Sequence, residues 1–283
     1  MKRLFLLRAY GDFVIALHSF AKTAPSLLEE QFQLVASEHL KPLYNALLSA
    51  NAIPPIPVEF VDFGIHQGQI NFFTNKHFFK NDTLKQLALI RTYLHHNPNS
   101  NGQDYIEQSI RLSGFNFMTQ HNFKPIIQNK QAVYSAYTHF LNNKIEEDNI
   151  DKLKLIAHKV LNANIQKQIL ITPDSRLQRK EIPIGKIKEI QNKFESKGHE
   201  VKIARFHNMI NHPPSIEKAI AYSNFSELVL LIKACDYLIS ADSLPVHIAQ
   251  LLGKPHSIVY ASVANNFCTP FALNNNTIQF FND

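Results

Sequence analysis

The chain has 283 residues, 45% of them hydrophobic and 18% charged, and a net charge of +6 from 29 Lys and Arg against 23 Asp and Glu. These values exclude a disordered polyelectrolyte and allow one large or two ordinary globular domains. The positive balance suits an anionic small ligand or an anionic lipid face, and it is too mild to call for nucleic acid.

The opening MKRLFLLRAYGDFVIAL looks like a secretion signal, but Arg8 and Asp12 interrupt its apolar run and no small-residue cleavage site follows. RLFLLRA (3–9) reads instead as a buried strand. GDFVIALHSFAKTA then carries Val14, Leu17 and Ala21 at helical spacing. Gly11 is expected in the turn at the strand end, where glycine allows a tight path. FQLVAS (32–37) is the second strand, EHLKPLYNALLSA a helix with Pro42 in its first turns, PVEFVDFG (57–64) the third strand, and INFFTN a candidate fourth. DTLKQLALIRTYLHH predicts a helix that Asp82 can cap, with Leu84, Leu87, Ile90 and Leu94 on one face. NPNSNGQ (97–103) reads as a loop, and residues 104–142 read as helical.

The polar segment NNKIEEDNID (142–151) is the expected joint between a domain at 1–150 and another at 151–283. A second alternating series follows. KQILITP (167–173) is a strand, IPIGKIKEIQNKFESKG a helix ending at Gly198, and HEVKIARF a strand. IAYSN is a short strand or loop and SELVLLIKAC a helix. DYLISAD is a strand and SLPVHIAQLLG a helix stopped by Gly253 and Pro255. HSIVYAS is a strand, and TIQFFN a candidate last one. Lysines between Lys144 and Lys202 read as solvated helix faces. Strands alternating with helices, twice over, predict two Rossmann-like halves with parallel sheets facing a central cleft. There is no Walker loop and no GxGxxG.

Three places carry chemistry. In ISADSLPVHIAQLLGKP, Asp242 ends a strand, where α/β domains bind ligands. Ser243 can cap the next helix, Pro245 is tolerated in its first turn, and the helix start suits a diphosphate. Asp242 either orders the turn or accepts from a ribose or sugar hydroxyl. His247 is either a donor to a phosphate oxygen or an ordinary surface histidine. In RAYGDFV, Asp12 sits at a strand end as either a helix cap or a general base. In TPDSRLQRKEIP, Ser175 offers a hydroxyl, and Arg176, Arg179 and Lys180 offer positive charge; a solvated basic loop is the plainer reading. Cys235 and Cys268 form no metal-spaced set. Cys235 reads as a small core residue, which points to a reducing compartment.

These places, in this order, resemble glycosyltransferase family 9, the heptosyltransferase-like enzymes of lipopolysaccharide core assembly. The carrying residues are Gly11-Asp12, then Lys180-Glu181-Ile182-Pro183, then Asp242-Ser243-Leu244, His247, Ala249 and Gly253-Lys254-Pro255. The resemblance implies the two-domain GT-B fold and an inverting transfer without a metal or other cofactor. By the same resemblance Asp12 would be the base toward the acceptor hydroxyl. Ser175 and Lys180 would hold the donor phosphates, and Asp242, Ser243 and His247 would complete the donor site, with Gly11 at the turn beside it. The partners implied are a nucleotide-diphosphate sugar and a glycan or glycolipid acceptor. The chain departs from the pattern at Leu244, where the family has Gly, and at Ile182, where it has Trp. It also stops at Asp283, soon after its last expected strand, where family members usually continue with helices. Two alternatives stand beside this: a noncatalytic nucleotide-sugar-binding member, and a sugar-nucleotide epimerase of the same architecture. The expected location is cytoplasmic, with a peripheral membrane association.

Overall fold

The computed structural model of the chain describes residues 1–7, 9–23, 30–65, 81–107, 124–126, 133–141, 166–175, 178–207, 216, 218–260 and 279–280. The expected strand at 70–75, the joint at 142–151, Arg176 and Cys268 lie outside them. So do the side chains of Asp82 and Leu84. The chain divides into two compact units, Met1–Leu48 with Ile53–Lys144, and Ser49–Ala52 with Ile145–Asp283.

The first unit holds strands β1 (Lys2–Leu6), β2 (Phe32–Ser37), β3 (Val58–Val61), β4 (Gln103–Ile106) and β5 (Lys124–Pro125). Its described helices are α1 (Tyr10–Phe20), α2 (Lys41–Ser49), α3 (Asn81–His96) and α4 (Val133–Phe140). The strands form one parallel sheet in the order β3-β2-β1-β4-β5. On one face, Leu87, Ile90, Tyr93 and Leu94 of α3 pack on Phe5, Val35 and Ile106. On the other, α1 and α4 pack together, with His18 edge-on to Tyr134 and Phe140 edge-on to Tyr105. A sheet covered on both faces explains why β1 reads as a continuous apolar run.

The helical expectation for 104–142 is corrected at two places: residues 103–106 form β4, paired with β1 at the sheet centre, and Lys124–Pro125 form β5. Val133–Phe140 are helical as α4, and 108–123 and 127–132 lie outside the described residues. Asp104 hid the strand, since an acid argues against a central one. Its charge is neutralised in place: Arg3 donates from Nε and Nη2 to its two carboxylate oxygens at 2.9 and 3.0 Å, and Arg3 is 2% exposed.

The second unit holds β6 (Gln168–Thr172), β7 (Glu200–Phe206), β8 (Ile220–Tyr222), β9 (Tyr237–Ala241), β10 (His256–Tyr260) and β11 (Gln279–Phe280). Its described helices are α5 (Ile184–Glu195), α6 (Phe225–Ala234) and α7 (Leu244–Leu251). The sheet is parallel, in the order β11-β10-β9-β6-β7-β8. Ile187, Ile190 and Phe194 of α5 cover one face through Ile169, Ile171, Ile203 and Ile239. The other face carries α6 and α7, which pack on each other, and α7 packs on β9 and β10. Gly198 at φ +81° and Gly253 at φ +64° end α5 and α7 as expected, in the left-handed region that disfavours a side chain. Cys235 is the small core residue the sequence implies; it is buried at the end of α6, and burial pushes its thiol pKa up to about 11. No helix among the described residues is long and apolar enough to cross a membrane.

Candidate functional site

Both sheets reverse their strand order once. In the second unit β6 leads outward to β7 and β8, while β9 leads the other way to β10 and β11. The crevice beyond the carboxyl ends of β6 and β9 is therefore the switch point, where parallel α/β sheets leave room for a ligand. The loops that leave these two strands, Pro173–Pro183 and Asp242–Ser243, carry Ser175, Lys180, Asp242 and Ser243.

Lys180 ends a short 3-10 turn, Gln178–Lys180, and its Nζ donates to Asp242 Oδ2 at 2.6 Å. The lysine side chain is 34% exposed and the aspartate 11%. The contact seen at Asp242 is an ion pair to the basic loop. Its carboxylate holds Lys180 across 62 residues of sequence. An ammonium group has three protons, so one given to Asp242 leaves two for a phosphate.

Ser243 is the N-cap of α7 by position, but its side chain makes no capping bond. Its hydroxyl donates to the carbonyl of Asp174 at 3.0 Å, tying the turn after β9 to the loop after β6. Pro245 brings no N–H, and the Val246 N–H is taken by the Ser243 carbonyl at 3.2 Å. The first turn of α7 thus has few amides to give, and Lys180 supplies much of the positive charge at this end. Leu244 is the first helical residue with ordinary backbone: the only described non-glycine residues with positive φ are Asn51 and Lys218. The change from Gly to Leu costs no backbone strain.

Ile182, in the place of Trp, is buried in the core beside Ile171 and Ile187, and its N–H donates to the Pro173 carbonyl at 3.0 Å. That bond closes the base of the basic loop. Ser175 is half-buried on the loop, and Arg179 is exposed. His247 is 5% exposed, so the surface-histidine reading is corrected; the ring belongs to the buried side of α7. His247 also lowers the pKa of His256, although burial is the larger cause there.

Two residues that sequence reasoning passed over organise the same edge. Asp174 Oδ1 accepts from Arg205 Nε and Nη2, both at 2.8 Å, and its Oδ2 accepts from the N–H of Phe206 at 3.1 Å. Both side chains are nearly buried. One aspartate thereby joins the carboxyl ends of β6, β7 and β9. An arginine inside a strand, HEVKIARF, with an acid just past another strand, TPD, was the available signal.

In the first unit β1 leads to β2 and β3 on one side, with β4 and β5 on the other, so its switch point lies between β1 and β4. Gly11 and Asp12 follow β1, but not in the turn: they are the second and third residues of α1. The N-cap is Ala9, so Asp12 is not a cap; it is an acid in the first turn, half-buried, at the favourable end of the helix dipole.

A profile of the family described as glycosyltransferase family 9 (heptosyltransferase) matches residues 88–282, more than half of the chain. The chain belongs to glycosyltransferase family 9. A comparison with curated proteins finds no match. Among solved structures this family 9 chain is similar to a glycosyltransferase of the same family from Veillonella parvula. The identity is 13% and the TM-score 0.56, over 99% of this chain and 86% of that one. It is also similar to the ADP-heptose lipopolysaccharide heptosyltransferase II of E. coli, at 12% identity and TM-score 0.56, over 99% and 90%. The E. coli heptosyltransferase WaaC, solved with ADP, gives 10% identity and 0.54, over 99% and 93%. At such identities the likeness is one of fold, and the fold is GT-B: two α/β units with parallel sheets. Family membership makes the chain a glycosyltransferase. Ser175, Lys180, Asp242, Ser243 and His247 lie within the matched segment, whereas Gly11 and Asp12 precede it.

Proposed function

We propose that this glycosyltransferase moves a sugar of the heptose class from a nucleoside-diphosphate donor to a hydroxyl of a lipopolysaccharide-type or other glycan acceptor, with inversion and without a metal or other cofactor. The observation that carries the reading is the Lys180–Asp242 pair at the β6/β9 switch point, beside Ser243 and the start of α7. That edge offers a held cation and the positive end of a helix dipole where a diphosphate would lie. The structural relatives were solved with ADP, with ADP-2-deoxy-2-fluoro heptose and, in TibC, with ADP-D-beta-D-heptose, which supports a donor of this class.

In the proposed reaction Asp12 takes the proton of the acceptor hydroxyl as its oxygen bonds to the anomeric carbon. The bond from that carbon to the diphosphate breaks on the opposite face, and the electron pair leaves with the nucleoside diphosphate. Lys180 opposes the charge that develops there. The donor role falls to the second unit and the acceptor role to the first. The net charge of +6 suits peripheral attachment to an anionic cytoplasmic membrane face.

Two variants test the division of labour. Lys180→Ala should weaken ADP binding in calorimetry by about 1.5–3 kcal/mol, the worth of a hydrogen bond to a charged group. Asp12→Asn keeps the shape but not the basic oxygen, so turnover of a nucleotide-heptose donor should fall about 10²–10⁴-fold with ADP affinity unchanged. Parental turnover in Asp12→Asn would remove its role as base, and parental affinity in Lys180→Ala would remove the donor site.

A further inference from the structure

We propose that Phe206, backed by Tyr222, is the platform on which the nucleobase of the donor stacks. The inference rests on the donor reading above and adds to it the recognition of the base. Phe206 ends β7 at the carboxyl edge of the second sheet and is 37% exposed, unusual for a large apolar side chain. Side chains alternate along a strand. Ile203 enters the core with α5, so Ala204 and Phe206 project on the opposite face, the one that carries α6 and α7. The phosphate end of the donor lies on that same face, at the start of α7.

The register of β7 with β8 sets Phe206 beside Tyr222, with ring centroids 5.6 Å apart and planes at 58°. Tyr222 is buried. Burial first, and the charge of Asp174 second, raise the pKa of its phenol, so it stays neutral beside the exposed ring. Phe206 therefore has one side held against the Tyr222 ring and surface left for a partner.

The ring is held in register with the phosphate site. Phe206 N–H donates to Asp174 Oδ2 at 3.1 Å, and the Asp174 carbonyl accepts from Ser243 Oγ at 3.0 Å. Two hydrogen bonds through one residue thus connect the base platform to the turn that receives the diphosphate. Arg205 neutralises the aspartate that makes both links. Because β7 is the strand next to β6, the platform stands about 5 Å to one side of the strand that opens the donor loop. A ribose bridges that offset between diphosphate and base. Every base presents a π-face, so an aromatic platform binds without requiring one particular base.

The chain has no tryptophan, so Phe206→Trp creates a protein with a single fluorescent indole at the proposed platform. The probes are ADP, UDP and GDP, with inorganic pyrophosphate as the ligand that has no base. Nucleotides should quench the indole saturably, and pyrophosphate should not. In calorimetry, Phe206→Ala should weaken the bound nucleotides about tenfold or more and leave pyrophosphate affinity at the parental value. Phe206→Trp should retain the parental nucleotide affinity. Equal losses for nucleotides and pyrophosphate would mark Phe206 as structural and overturn the inference, as would an unquenched indole in nucleotide-saturated protein. A parent chain that binds none of the three nucleotides overturns the donor reading itself, and the platform with it.

Discussion

Arg3 donates through Nε and Nη2 to both oxygens of Asp104, and through Nη1 to the carbonyl of Asn97, beneath the rings of Phe5 and Tyr93. Removing one charge of such a pair leaves the other buried and uncompensated, at a cost of about 3–5 kcal/mol. Asp104→Asn should lower the unfolding free energy of the first unit, from urea titration, by that measure, while a loss under about 1 kcal/mol would mean that water reaches Arg3. The Lys180–Asp242 pair differs. Its lysine is a third exposed, so solvent screens the attraction and its part in stability is small, of the order of the 0–1 kcal/mol of surface pairs. A pair of that kind, placed at a strand edge where ligands bind, is better explained by what it holds ready than by what it stabilises. Lys180 and Asp242 were each legible as candidates from their motifs. Their bond was not, because a contact across 62 residues depends on which strands are neighbours.

At the scale of elements, α7 and β10 meet around a buried histidine. His256 Nδ1 lies 2.9 Å from the Lys254 carbonyl, so that nitrogen carries the proton, and the buried Nε2 has no hydrogen-bond partner among the described residues. Burial, with His247 as a further cause, lowers its pKa from 6.5 to about 4. An unfolded histidine takes a proton near pH 6.5 and the folded one only near pH 4. Between those values the unfolded state binds more protons. Stability therefore falls as pH drops from about 6.5 to about 4, by about 3 kcal/mol, and this contribution is flat below pH 4. Urea unfolding at pH 7.5 and pH 5 should show about 2 kcal/mol of that loss in the parent and a smaller one in His256→Gln; equal losses would move the titration elsewhere. Element type was well marked in the sequence wherever apolar spacing was uninterrupted, as at Phe32–Ser37, which is β2 residue for residue, and in the helix at 81–96. It was misread at 104–106, where Asp104 breaks the apolar pattern and Arg3, 101 positions away, restores neutrality.

At the scale of the whole molecule the chain is two compact units, each with its own parallel sheet and core. Separate cores allow separate unfolding. Calorimetric scans should resolve two transitions. ADP at about 100 times its dissociation constant should raise the one that belongs to the second unit, by about 2.7 kcal/mol of added stability. Asp104→Asn should lower only the other. An ADP shift carried by the transition that Asp104→Asn lowers would place the nucleotide in the wrong unit.

Alternating strands and helices, the stops at Gly198 and Gly253 and the order of the three motifs are local properties. They depend on side-chain periodicity and backbone freedom within a few residues, so the sequence by itself determined the α/β class, the doubled series and the family. Tertiary structure alone decided which strand ends adjoin. Only the order β9-β6-β7 brings Asp242 to Lys180, Ser243 to the Asp174 carbonyl, and Arg205 with Phe206 to the Asp174 carboxylate. It also decided that Gly11 and Asp12 stand inside a helix, that Ser243 leaves its helix uncapped, and that His247 is buried. Each of those outcomes turns on a partner outside the segment's own sequence: a distant carbonyl that sets where a hydroxyl points, or a neighbouring strand that covers one face.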